Sequence, residues 1–257
     1  MRERPILFSG PMVRALLAGT KTQTRRVVNP QPPEHTVAVG NWQDPPGYDP
    51  AWWAFVRPGP VDRDHPFGGA SIHSDPWRCP YGKPGDRLWV RETLKLWTQD
   101  PELFAYAADD TRVQGDGYNY PVRPGRPYVP SIHLARCWSR LVLEVTDVRV
   151  QRLQDISEAD AEAEGVAEWA KGALSFDGQK ILRPSQQYRY LWEQINGQDG
   201  PSSWRADPWV WAVSFKRVTE AQRTETGAAS MEVLSVSNEP DEKTPVFPPP
   251  PSIEGSL

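Results

Sequence analysis

RLVLEVTDVRVQRL, residues 140–153, decides the fold class. Leu141, Leu143 and Val145 fall on one face at the period of a strand, and the phase then shifts to Val148 and Val150. A phase shift inside a long strand predicts a bulge or bend, as a small barrel needs. The next residues, DISEADAEAEGV, predict a short helix. Ser157 with Asp160 three residues on resembles a capping box, and Gly165 supplies the stop. A second helix is predicted over 185–196, capped by Ser185, with Tyr188, Leu191, Trp192 and Ile195 on one face. PWVWAVSFKRV (208–218) predicts a closing strand with Trp209, Trp211, Val213 and Phe215 on one side.

Upstream, residues 5–8 (PILF) predict a short buried strand. Ser9 and Pro11 then open a helix carrying Met12, Val13, Leu16 and Leu17 on one face, and Gly19 ends it. Thr22, Thr24, Arg26 and Val28 alternate as a strand would, as do Leu88 and Val90 in RLWVRE (87–92). LFAYAA (103–108) predicts one more strand. Short strands and few helices in this order predict an α+β domain over 1–218, built on a small mixed β-barrel. Residues 29–84 hold twelve prolines, six glycines and four tryptophans without sustained periodicity. They read as an irregular insertion within that domain, which Trp42, Trp52, Trp53 and Trp77 fasten to the barrel. Residues 219–257, with PVFPPPP, read as a disordered acidic, Pro-rich tail.

The composition narrows the function classes. The chain has 257 residues, 38% hydrophobic and 24% charged, with 28 prolines and 12 tryptophans. No apolar run approaches the 18 residues of a membrane span, and MRERPILFSG has no apolar core of a signal peptide. Two cysteines, Cys79 and Cys137, make no disulfide framework, so a cytoplasmic setting is expected. The net charge of −4 is uneven: 219–257 carries −5 and 1–218 carries +1. Six bases (Arg2, Arg4, Arg14, Lys21, Arg25, Arg26) face one acid, Glu3, in the first 28 residues. Such a local basic patch serves an anionic ligand without a basic pI.

The chemistry-bearing stretch is GTKTQTRR, residues 19–26. A lysine next to a hydroxyl builds a nucleophile when burial lowers the lysine pKa, because the neutral amine then takes the hydroxyl proton. Lys21 and Thr24 converge only if the backbone is irregular there; otherwise the stretch is a surface turn with solvated bases. The P-loop spacing is absent. His65, His73 and Cys79 share one loop while His133 and Cys137 lie elsewhere, without the paired spacing of a zinc site. No cofactor and no metal is expected. Arg91 and Glu92 end a strand and read as an ion pair or as cleft residues. Arg136 and Arg140 flank Trp138, a pattern that suits phosphate contact and base stacking or, equally, a core tryptophan between solvated bases.

RPILF, AGTKTQTRR, GDRLWVRE, the 140–166 segment and WVWAVSFKRV together resemble the ASCH family of PUA-like β-barrel domains. Gly19, Lys21, Thr24 and Arg26 fill its G-x-K-x-x-[ST]-x-R pattern. The likeness covers most of 4–218 and extends to the long ASCH proteins that phages and prophages encode. It implies a barrel whose cleft takes RNA or a nucleoside, in a bacterial or phage-infected cytoplasm. Some small bacterial members are amidohydrolases of N4-acetylcytidine. By that likeness Thr24 is the nucleophile, Lys21 its base, and Glu164 holds the lysine or the leaving amine; Glu162 and Glu158 are its neighbours in register. Arg26 would stabilise the oxyanion or pair with a carboxylate. Gly19, Arg25, Arg26, Arg91, Glu92, Arg136 and Arg140 would line the substrate or nucleic-acid surface. This chain is about twice as long as the small enzymes, so residues 29–84 would cover or reshape the cleft. Three functions stay open at this point. One is a hydrolase, with Lys21, Thr24 and Glu164 converging. Another is a non-catalytic RNA- or DNA-binding module with an open arginine groove. The third is a phage assembly factor. No membrane partner is expected, and the oligomeric state is open.

Overall fold

A computed structural model describes residues 1–33, 36, 38–41, 52–58, 70–72, 77–96, 103–114, 127–169, 183–219 and 222. In chain order the elements are β1 (Glu3–Leu7), α1 (Gly10–Leu17), β2 (Gln23–Val27), β3 (Ala38–Asn41), β4 (Trp52–Pro58), β5 (Ala70–Ile72), β6 (Trp77–Arg78), β7 (Arg87–Arg91), β8 (Leu94–Leu96), β9 (Leu103–Tyr106), β10 (Arg112–Gln114), β11 (Tyr128–Val129), β12 (Val142–Arg152), α2 (Glu158–Ala163), α3 (Val166–Trp169), α4 (Pro184–Asn196) and β13 (Trp209–Arg217). The class is α+β. No described helix is long and apolar enough to cross a membrane.

The main sheet runs β1-β7-β12-β13-β2. Only β1 and β7 are parallel; the other pairings are antiparallel. β12 organises it, because its first half pairs with both β7 and β13. The register to β13 slips between Val145 and Asp147, which leaves Thr146 as the extra residue of a bulge. The buried face changes with it, from Leu143 and Val145 to Val148. Among the described strands the sheet does not close into a barrel: β1 and β2 remain edges. They nevertheless come close, since Arg26 of β2 donates through Nη2 to the Leu7 carbonyl of β1.

The core lies between this sheet and the helices. Ile6, Val13, Leu16, Leu88, Leu143, Val213, Leu191 and Trp192 belong to one buried cluster. Each such side chain contributes about 1.5–3 kcal/mol by leaving water. A second sheet, β10-β9-β8-β11, has its own core of Leu94, Phe104, Val113, Leu134 and Trp138. A partly buried charge cluster lies beside it, with Glu92 buried and Asp109 exposed. Arg140 pairs with Glu92 and Asp109, each through two bonds of 2.9 Å, and its guanidinium lies 3.9 Å from the Tyr106 ring centre. Burial raises the Glu92 pKa above its ordinary value despite that arginine.

The irregular reading of 29–84 needs correction. β3, β4, β5 and β6 form an antiparallel sheet there, with β3, β5 and β6 all pairing β4. Trp42 lies outside the described residues, as does nearly all of the 219–257 tail.

Helix starts also differ in detail. Ser157 caps α2 as expected, its Oγ accepting from the Asp160 amide at 3.1 Å. In α4, Pro184 takes the first helical position, so the cap is Arg183 and not Ser185. Ser185 instead donates through N and Oγ to the Glu158 carboxylate at 3.0 and 2.6 Å. Those two bonds hold Glu158 below its ordinary pKa. Ile195, expected on the buried face, is half exposed.

Candidate functional site

α1 ends at Leu17, and Gly19 at φ +75° turns the chain back. That turn takes Lys21 to the last residues of α2, where it forms an isolated antiparallel bridge with Glu164. The Thr22 amide donates to the Ala163 carbonyl at 2.8 Å in the same place. Gly165 makes the approach possible. It has φ +75°, and a Cβ there would lie 2.9 Å from the Cβ atoms of both Ala15 and Lys21.

The side chains complete the joint. Lys21 is 2% exposed and Glu164 3%. Lys21 Nζ donates to Glu164 Oε2, the Glu164 carbonyl and the Gln23 carbonyl, each at 2.9 Å. Arg25 Nη1 donates to the second carboxylate oxygen, Oε1, at 3.2 Å, and to Gln23 Oε1 at 2.6 Å. Arg25 Nη2 reaches Asp160 Oδ2 at 3.1 Å, while its buried Nε has no partner. Asp160 also accepts from Gln23 and Arg149. Burial lowers the Lys21 pKa below its ordinary value, and the attraction of Glu164 offsets only part of that. Burial also raises the Tyr188 phenol well above its ordinary range.

A cavity of about 60 Å³ opens beside this pair. Thr24, Arg25, Arg26, Glu164, Tyr188, Trp192 and the half-exposed Ile195 line it. Thr24 is 2% exposed. It does not touch the Lys21 ammonium, whose three bonds go to other oxygens. β2 is an edge strand among the described residues, and its unpaired side lies here. Phe215 donates to the Thr22 carbonyl and Val28 to that of Trp209, so alternate residues of β2 bond to β13. Arg25 and Val27, both lining the cavity, therefore turn backbone N–H and C=O outward.

No family model, curated protein or solved structure matches the chain.

Arg91, Glu92, Arg136 and Arg140 do not line this cavity. Arg136 bonds Glu3 at 2.9 and 3.2 Å, and Arg140 is held by Glu92 and Asp109. Trp138 between them is a core residue. Arg91 stacks 4.8 Å from the Trp89 ring centre, while Glu92 pairs with Arg140. Arg26 lies 5.4 Å from the Phe8 ring centre. Gly19 shapes the turn and does not line the cavity. Arg25, Arg136 and Arg140 thus share no open groove. Glu162 is exposed, and Glu158 serves α4. Among the described residues no group of His, Cys, Asp and Glu could hold a metal ion; His65 and His73 lie outside them.

Sequence reasoning missed Asp160, Gln23 and the cavity wall from α4. Asp160 reads as a capping position, and Tyr188 and Trp192 as helix core. Their site role arises only when α4, packed on α2 and α3, brings Tyr188 over the Arg25 guanidinium of β2.

Proposed function

We propose that the chain is an ASCH-type protein that recognises a modified nucleoside, free or within RNA, and removes the acyl group from N4-acylated cytidine. The observation that carries this reading is the buried Lys21–Glu164 pair beside a cavity that Thr24 also lines. The main sheet is then an open form of the PUA-like barrel, which the meeting of Arg26 with Leu7 supports. Residues 1–218 form its domain, with 29–84 inserted.

The lowered lysine pKa favours the neutral amine that a hydroxyl nucleophile needs. Thr24 Oγ adds to the acyl carbonyl and its proton passes to Lys21, with Glu164 2.9 Å away to hold or relay it. Arg26 faces the developing oxyanion. The C–N4 bond breaks, the amine leaves with the proton, and water hydrolyses the acyl-threonine to free the acid. The lysine–threonine contact forms on substrate binding, as catalytic hydrogen bonds often do. A cavity of about 60 Å³ admits an acetyl group and leaves the base at the mouth. There the outward N–H and C=O of Arg25 and Val27 suit the polar edge of a pyrimidine.

The test is release of cytidine and acetate from N4-acetylcytidine, as nucleoside and within RNA. Wild type is compared with Thr24→Ala and Lys21→Ala. Turnover by wild type that both variants lose supports the reading. Folded wild type that turns over neither substrate overturns it.

A further inference from the structure

A second cavity, of about 220 Å³, lies at the start of β1, where Arg2, Arg4, Arg78, Lys83, Gly82 and Asp86 line it. The Lys21 site lies past the other end of that strand, near Phe8, roughly 15 Å away along β1. Among the described lining residues, Arg2 and Arg4 meet one acid, Asp86. Asp86 is already spent on the backbone: Oδ1 accepts from the Arg2 amide at 2.8 Å and Oδ2 from the Lys83 amide at 3.4 Å. Cys79, on the same wall, adds no charge, because burial pushes its thiol up to about 12. The nearby acid Glu3 is held by Arg136.

Arg4 is the informative side chain. Its Nε is buried without a hydrogen-bond partner, and Nη1 has only a long 3.4 Å bond to the Pro80 carbonyl. An unmet guanidinium N–H is costly unless something accepts from it. Gly82, at φ +97°, lets the 79–86 turn fold this tightly: a Cβ there would meet Asp86 at 2.9 Å. The turn therefore holds its carboxylate against the backbone and leaves the Arg2 and Arg4 side chains to the cavity.

We propose that this cavity binds a phosphate group, with Arg2 and Arg4 as its hydrogen-bonding ligands. Arginine forks suit phosphate oxygens, and the volume leaves room for the ester substituent. The phosphate belongs either to a nucleic-acid strand or to a free phosphate ester. The assignment is independent of the chemistry at Lys21.

The full chain is titrated at low ionic strength with inorganic phosphate, cytidine 5′-monophosphate and a ten-residue oligouridylate, following heat and the amide resonances of Gly82, Lys83 and Asp86. Saturable binding that shifts those amides, and that weakens about tenfold in Arg2→Gln/Arg4→Gln, is expected. Preference for the oligomer, with a salt slope that falls in the variant, identifies the strand as source; equal or better binding of the monophosphate identifies the free ester. No saturable binding of any probe, or binding that the double variant leaves unchanged, overturns the proposal. If the double variant does not fold, the exposed Arg2→Gln alone decides: unchanged binding overturns it, and weakening by about threefold supports it.

Discussion

Lys21 and Glu164, 143 residues apart, are joined twice, once by a backbone bridge and once by a 2.9 Å ion pair between fully buried side chains. The two partners are not equivalent. Glu164 also accepts from Arg25, so it keeps one cation if the lysine is removed. Removing the carboxylate instead leaves the buried Lys21 with two backbone carbonyls and no counter-charge, while Arg25 keeps Asp160. Glu164→Gln is therefore expected to cost about 3–5 kcal/mol of stability, and Lys21→Met less, about 1–3 kcal/mol. Urea denaturation of both variants checks the order; equal costs would place the weight of the joint on the backbone bridge alone.

The pH dependence follows from the lysine. Its pKa is below 10.5 in the folded chain. Between that lowered value and 10.5 the unfolded chain holds a proton that the folded chain lacks. Stability from this group therefore rises with pH through the window, by at most about 1.4 kcal/mol per pH unit. Below the window both states are protonated and the slope vanishes. The stability of wild type relative to Lys21→Met is expected to grow as pH climbs toward 10. A flat difference would mean that Lys21 keeps an ordinary pKa.

Gly165 and Gly19 share φ +75° but not their surroundings. An added Cβ at Gly19 meets nothing within 4 Å, so Gly19→Ala carries only backbone strain, about 1–2 kcal/mol. At Gly165 it meets Ala15 and Lys21 at 2.9 Å, which adds overpacking of about 1–3 kcal/mol. Gly165→Ala is expected to lower Tm clearly more than Gly19→Ala. It also pushes on the Lys21 backbone, so activity per folded molecule should fall in that variant alone.

The alternation of Leu141, Leu143 and Val145 and its break before Val148 were legible in the sequence because a bulge moves the buried face visibly. The strands inside 29–84 were not, because segments of two to seven residues between prolines carry no sustained period. Ser185 has the chemistry of a cap, yet Pro184 already occupies the first turn. The meeting of Lys21 with Glu164 is a tertiary event that no local spacing encodes. The partners of Arg136 and Arg140 were hidden for the same reason, since Glu3, Glu92 and Asp109 lie 31 to 133 residues away.

Arg140 is consequently expected to matter for stability and not for nucleic acid. Its two carboxylates and the Tyr106 ring need a planar fork. Arg140→Lys keeps the charge and loses that geometry, so it should cost about 2–3 kcal/mol. Oligonucleotide affinity and its salt slope should stay unchanged. A smaller salt slope in this variant would return Arg140 to the binding surface.

Ile195 tests where the acyl group sits. It is 50% exposed at the cavity wall, so trimming it removes little core. A cavity of about 60 Å³ holds acetyl and crowds longer chains. Each added methylene should lower kcat/KM by about tenfold in the wild type. Ile195→Ala opens the wall from the solvent side, so butyryl should recover relative to acetyl while acetyl turnover changes little. Competition between N4-acetyl- and N4-butyrylcytidine measures the ratio directly. The same ratio in both proteins would place the acyl group outside this cavity and would remove Thr24 as its nucleophile.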